Sequence, residues 1–318
     1  MNDGPSTASA TPAKQKARIL AEALPYIRAY HGKTLVIRFG GEAMADAALK
    51  AGFARDVALL RSVGMKPIVV HGGGWRIDEL MRQMGIENKR HRGVRITDDR
   101  TLNVIEMALD ELNQELTGLI NRHGGRAVGL NGQDGRFIHA SKRTLPAIDG
   151  VPDSVDLGFV GEADDVDLEL VQLLLSKNFT PVIMPIGVGV DGAAYHINSD
   201  LLAGRLARAL QAEKLVLMTN VPGVFDRQGK LIYILTANEA ESLLQDGSVE
   251  GGMRPRLTAA LEAVREGVRS VHIIDGVVPS ALLLEVLTPE GVGTAVRSDA
   301  GPHFFADSRS YLLAAEPT

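Results

Sequence analysis

The sequence predicts an α/β fold, an open and mostly parallel sheet with helices on both faces, arranged in two lobes. Three observations predict it. Short apolar runs at 34–39, 67–71, 126–130, 181–186, 214–218 and 270–274 alternate with segments of helical period. The run 181–186 is apolar almost throughout, as in a strand buried on both sides. Two successive apolar runs end in glycine clusters, Gly40-Gly41 and Gly72-Gly73-Gly74, each placed where a helix should begin.

Taken in order, residues 1–13 are rich in Ser, Thr, Ala and Pro and predict a disordered tail. Leu20, Leu24, Ile27 and Tyr30 recur at helical spacing, and Pro25 inside that pattern predicts a kink in a helix over 14–31. Strand 34–39, helix 50–62, strand 67–71 and helix 75–84 follow. A polar loop over 90–99 precedes a long helix, 100–123, and strand 126–130. The Gly-, Asp- and Ser-rich segment 131–167 reads as a hairpin, followed by helix 166–176 and strand 181–186. Residues 187–192 match G-x-G-x-x-G but lead into Ala193, Ala194, Tyr195 and His196, so they read as a loop. Helix 200–211, strand 214–218, helices 238–245 and 255–266, strand 270–274 and helix 279–286 complete the pattern. The helix over 14–31 reads equally as an appendage that seeks a partner surface or as a helix packed on its own domain. The expected division is a tail and helix over 1–31, one lobe over 32–210 and a second over 211–318.

Composition bounds the function. The 318 residues carry a net charge of −5, so no global basic field recruits nucleic acid. There are no cysteines, which excludes disulfides, thiolate zinc sites and a cysteine nucleophile. No run approaches the ~20 apolar residues of a membrane helix, and a cytoplasmic protein is expected. Of the 34 basic residues, 24 are arginine and 10 lysine.

Ligands of such sheets bind at the carboxyl ends of the strands. Glycine there lets backbone N–H groups approach a phosphate, and helix N-termini add positive potential. No G-x-x-x-x-G-K-[ST] motif occurs, so a P-loop is not the means.

Several segments together resemble the acetylglutamate kinases of the amino acid kinase family. They are 36–44 (VIRFGGEAM), 69–74 (VVHGGG), 93–98 (GVRITD), 119–125 (LINRHGG), 156–161 (DLGFVG), 198–200 (NSD), 212–215 (AEKL), 221–224 (VPGV) and 271–276 (VHIIDG). The resemblance runs in register from about 18 to 296. It implies the amino acid kinase fold and ATP-dependent phosphorylation of the side-chain carboxylate of N-acetyl-L-glutamate, with Mg²⁺ arriving on the ATP phosphates. An acyl-amino-acid lobe and a nucleotide lobe are implied with it.

The resemblance also implies roles. Arg38 and Arg256 stand at the two positions that neutralise charge during transfer, where the family has lysine, and Asp200 orients them. Gly40, Gly41, Gly73 and Gly74 cradle the phosphoryl group and the substrate. Arg95 clamps the substrate α-carboxylate, and His196, in place of an asparagine, and Asn198 contact the acyl amino acid. Thr219, Asn220, Val221, Gly223, Phe225, Gly252 and Met253 surround the nucleotide. Trp75 follows the triple glycine where proline is common. Arginine is planar and bulkier than lysine, and these exchanges leave two other readings open. One is a related kinase acting on a different N-acyl or acidic amino acid. The other is a catalytically impaired homologue that binds arginine or a partner.

Segment 23–28 (ALPYIR) resembles the N-terminal helix of arginine-inhibited members, which implies a hexamer built as a trimer of dimers. Segment 290–294 (EGVGT) resembles part of their arginine site, with Ser280 where histidine is usual. The histidines, including His71, His123 and His272, show no metal-ligand spacing.

Overall fold

Strand β1 (Thr34–Phe39) shows how the sequence builds the molecule. Alternate side chains of a strand point to opposite faces. Leu35, Ile37 and Phe39 enter one buried apolar cluster, and Val36 enters another on the opposite side. Arg38 shares the face of Val36. The computed structural model describes residues 12–145, 155–289 and 291–299.

Helix α1 (Pro12–Tyr30) precedes β1; α2 (Ala47–Ser62), β2 (Lys66–His71) and α3 (Gly74–Gln83) follow it. The short strands β3 (Arg90–His91) and β4 (Val94–Arg95) lead to α4 (Asp99–Arg122), β5 (Ala127–Asn131), β6 (Ile138–Lys142) and β7 (Val160–Val166). Next come α5 (Glu169–Ser176), β8 (Thr180–Met184), β9 (Ile186–Val188), β10 (Ala194–Ile197) and α6 (Ser199–Ala209). The chain continues with β11 (Lys214–Thr219), β12 (Ile234–Thr236), α7 (Ala237–Gln245) and α8 (Met253–Arg265). It closes with β13 (Ser270–Asp275), α9 (Ala281–Leu287) and β14 (Thr294–Arg297).

The main sheet has the order β12-β14-β13-β11-β1-β2-β8-β5 and is parallel except where β14 runs against β13. Strands β1 and β11 pair in register, Val36 opposite Leu215 and Arg38 opposite Leu217. Residues of α1, α2, α4 and α9 cover one face, and those of α5, α6, α7 and α8 cover the other. Phe39 stacks on Phe53 of α2 with ring centroids 3.8 Å apart, which locks that helix to the end of β1.

Strands β6, β7, β9 and β10 close into a small separate barrel. This corrects two expectations. The run 181–186 breaks at Pro185, so that β8 stays in the main sheet and β9 turns into the barrel. The segment read as a loop at 187–192 is one only over 189–192, the turn of a hairpin, while 187 and 188 belong to β9, antiparallel to β10. Neither β12 nor β14 was expected, each being three or four residues long. Helix α5 begins at Glu169, later than predicted. Helix α1 starts at Pro12, and residues 1–11 of the expected tail lie outside the described residues. The α1 helix runs on through Pro25.

Candidate active site

The predicted site residues are spread over strands β1, β4, β10 and β11, the glycine turns after β1 and β2, and the first turns of α6 and α8. Arg38, 8% exposed, projects from the end of β1 toward α6. Its Nε lies 2.9 Å from Asp200 Oδ1 and donates to Ser199 Oγ at 3.2 Å. Its Nη1 donates to the Met218 carbonyl of β11 at 3.0 Å. Asp200 is not the cap of α6. Asn198 is, its Oδ1 accepting from Asp200 N–H at 2.9 Å and Leu201 N–H at 3.2 Å. The Asp200 carboxylate is thereby left to the cations.

Arg256 sits in the first turn of α8, and its charge, like that of Arg38, is coupled to Asp200. Burial lowers its pKa, Asp200 raises it and Arg38 lowers it. Its buried Nε makes no hydrogen bond among the described residues. Two guanidinium groups acting on one carboxylate leave a net positive charge.

Glycines make room for this arrangement. A Cβ at Gly40 would fall 2.7 Å from Arg38 Nη1, and one at Gly72 would fall 3.4 Å from Nη2. The Gly72 carbonyl is fixed by buried His71. Asn113 Nδ2 can only donate to His71 Nε2, at 3.1 Å, so Nδ1 carries the proton and donates to Gly72 O at 2.9 Å. Burial, with a smaller effect from Arg38, pushes the His71 pKa down to about 4, so the ring stays neutral.

A cavity of about 240 Å³ opens beside these groups. Its lining brings together Arg38, Gly73, Gly74, Arg95, His196 and Asn198, six of the residues singled out in the sequence. The barrel supplies one wall through Val160, His196 and Ile197. Loop 93–98 supplies another, tied to 156–161 by Thr97 N–H on Leu157 O at 2.9 Å and Phe159 N–H on Thr97 O at 2.7 Å. Gly158 has φ 71°, and a Cβ there would strike Thr97 O at 2.0 Å. Only glycine fits that crossing.

Arg95 is buried, and its guanidinium is held by the Asp78 carboxylate and the Asn88 side-chain oxygen. His196 is half-buried. Desolvation first, and then the Arg95 charge, push its pKa down to about 4, so the ring is neutral. Sequence reasoning missed Ser199, Asp78 and Asn88, which position the arginines, and Arg143 and Arg90, which also line the cavity. Ser199 was inside a quoted motif. Nothing local marked Arg143.

Of the residues predicted around the nucleotide, Thr219 and Asn220 lie across the β1–β11 seam from Gly41. A Cβ at Gly41, where φ is 77°, would come within 3.8 Å of Asn220 N. Thr219 Oγ1 accepts from Val221 N–H at 3.0 Å and donates to Val221 O at 2.9 Å, folding the turn on itself. Gly223 packs against Thr294, Phe225 is 41% exposed, and Gly252 precedes α8 with Met253 as its first residue. Phe225 is not among the described residues that line the 240 Å³ cavity.

The comparisons with known proteins agree with this fold. The model of the Amino acid kinase family matches residues 33–275. An acetylglutamate kinase of Chromobacterium violaceum is 57% identical over 290 residues, covering 91% of this chain and 100% of that protein. Among solved structures, N-acetylglutamate synthase from Neisseria gonorrhoeae, complexed with coenzyme A and N-acetyl-glutamate, superimposes with a TM-score of 0.78 at 27% identity. That match covers 89% of this chain and 64% of the synthase, so the chain spans less than two thirds of the synthase's length. The same synthase complexed with coenzyme A and L-arginine gives a TM-score of 0.74 at 26% identity, covering 89% of this chain and 66% of that one. Family model, full-length relative and fold all agree: the chain belongs to the amino acid kinase family, and within it to the acetylglutamate kinases.

Proposed function

We propose that this protein transfers the γ-phosphoryl group of ATP to the side-chain carboxylate of N-acetyl-L-glutamate, forming an acyl phosphate in the cytoplasmic synthesis of arginine. One observation carries the reading: a single cavity gathers Arg38, the Gly73-Gly74 turn, Arg95, His196 and Asn198. Arg95, already fixed by Asp78 and Asn88, clamps the α-carboxylate, and the Gly73 and Gly74 N–H groups face the acid to be phosphorylated. Arg38 and Arg256 offset the repulsion between two anions, and Asp200 keeps the two guanidinium groups from separating. Alignment and charge neutralisation are the main demands of such a transfer.

The orphaned Arg256 Nε fits an anionic oxygen, so the residues suit the ATP phosphates. ATP supplies the transferable phosphoryl group, and Mg²⁺ accompanies its phosphates. Thr219, Asn220, Val221, Gly223, Phe225, Gly252 and Met253 hold the nucleotide in this reading. The sheet supports the division into lobes. Strands β1, β2, β5 and β8 form one half and β11 to β14 the other, meeting at the β1–β11 pair. A hydroxamate assay with ATP and N-acetyl-L-glutamate tests the proposal, with other acyl and acidic amino acids run alongside. Absence of hydroxamate, or a better rate with another acid, overturns it.

A specific observation also favours arginine as an effector. A second cavity, of about 160 Å³, is lined by Glu285, Gly291 and Gly293. Burial would raise the Glu285 pKa, but the His272 hydrogen bond and the Lys214 charge outweigh it and hold the carboxylate ionised. An ionised buried carboxylate suits a guanidinium. Ile19, Leu20 and Leu24 of α1 are exposed on the same helix whose Tyr26 and Tyr30 are buried, which supports assembly through α1 into a hexamer. Running the hydroxamate assay with and without arginine tests the effector role.

A further inference from the structure

We propose that the cavity between α2, the turn from β13 to α9 and the end of α4 is a further ligand site, built for a small organic cation: a protonated amine on a short apolar body. The cavity holds about 290 Å³. It lies with α2 and Phe53, on the opposite face of the sheet from Arg38. Its walls are mostly small or apolar, including Ala48, Leu49, Phe53, Val278 and Ala281.

One wall group is charged and buried. Asp56 is 1% exposed, yet its hydrogen bond, from Ser280 Oγ, is 3.4 Å long. Arg55 Nε is 3.9 Å away on a side chain 60% exposed, a pair that solvent screens. The second Asp56 oxygen accepts no hydrogen bond among the described residues. A buried carboxylate so poorly matched either takes a proton or finds a cation. Burial raises the Asp56 pKa to about 6, against the weaker opposing effects of Arg55 and Ser280. The other titratable group facing the space is His123, at the end of α4.

Gly52 is the independent sign of a built space. It stands in the middle of α2, where glycine costs stability relative to alanine. Close packing usually explains such a residue. Here a Cβ would meet nothing within 4 Å, and Gly52 lines the cavity. Its missing side chain leaves the room that a ligand body fills. An occupant would touch Met218, whose carbonyl anchors Arg38, and Phe53, which stacks on Phe39.

The test uses three probes of one shape on the full chain: n-hexylammonium, n-hexanol and hexanoate, followed by titration calorimetry. The ammonium is expected to bind once per chain at pH 7.5, at least tenfold tighter than the alcohol, with hexanoate weakest. Its affinity should fall about tenfold at pH 5, as a proton competes for Asp56, and His123→Gln should keep that fall. Asp56→Asn should abolish the preference for ammonium over alcohol. Gly52→Leu fills the space without removing a charge and should abolish binding of all three probes while the protein stays folded by circular dichroism. Equal binding of hexanol, stronger binding of hexanoate, no ammonium binding at millimolar concentration, or ammonium binding retained in a folded Gly52→Leu protein overturns the proposal.

Discussion

Arg38 Nε lies 2.9 Å from Asp200 Oδ1, joining the carboxyl end of β1 to the first turn of α6. Both side chains are at most 10% exposed. The same Nε points its hydrogen at Ser199 Oγ, so the carboxylate contact is an ion pair rather than a second aligned hydrogen bond. Asp200 Oδ1 is thus left without a hydrogen bond, and its charge also acts on Arg256.

Removing the carboxylate should therefore harm both rate and fold. Asp200→Ala leaves two guanidinium groups facing each other, and we expect kcat to fall on the order of 10²- to 10³-fold. Stability should fall by about 3 kcal/mol, since an uncompensated buried charge remains. Hydroxamate kinetics and urea unfolding measure the two effects; a wild-type kcat would contradict the role given to Asp200.

Gly40→Ala separates position from charge. The added Cβ would meet Arg38 Nη1 at 2.7 Å and push the guanidinium away from the Met218 carbonyl. A drop in kcat of roughly tenfold is expected from misplacement alone, with the thermal midpoint little changed. Equal losses of stability and rate would point to general disruption instead.

Arg95 depends on Asp78 and Asn88 for its direction. Asp78→Ala should raise KM for N-acetyl-L-glutamate by about tenfold, as a loosened clamp loses part of a charge-assisted contact, and leave KM for ATP unchanged. Initial rates with each substrate varied in turn decide this. A rise confined to ATP would move Arg95 out of the acid site.

Stability should decline on acidification. His71 and His196 have pKa values near 4 in the fold, below the ordinary 6.5. Such groups give stability that is complete above pH 6.5 and lost as pH falls toward 4. Each contributes up to about 1.4 kcal/mol per pH unit in that window, His196 less because it is half-exposed. Asp56, raised to about 6, works in the opposite direction between pH 6 and 3.8. Urea midpoints from pH 7.5 to 5 should fall, and His196→Asn should flatten the slope. A slope unchanged by that substitution would show that His196 already protonates in the fold.

Deleting residues 1–28 removes the exposed Ile19, Leu20 and Leu24. The expected product sediments as a dimer, against a hexamer for the full chain. A full-length protein that sediments as a dimer contradicts the assembly proposal.

Much of the main sheet was legible because its signals are local. Strand β1 has the limits predicted for it, and α4 differs by one residue at each end. Gly40 and Gly72 mark where backbone must come close to Arg38, and Gly73 where it comes close to α4. The barrel was harder to read. β9 and β10 are three and four residues long, and their pairing with β6 and β7 depends on partners distant in sequence. Asn198 shows the same limit. Its motif marked it for the substrate, but only the folded chain shows its oxygen capping α6.

The sequence by itself determined the alternating α/β pattern, the glycine turns and the identity of the two arginines and one acid expected to meet. Each is written in periodicity or in a motif a few residues long. Tertiary structure alone decided that Ser199 and Met218 aim Arg38, that Asp78 and Asn88 hold Arg95, and that Gly52 fronts an open cavity. Those facts depend on side-chain direction and on what the rest of the chain brings near, and neither quantity is carried by any local stretch of residues.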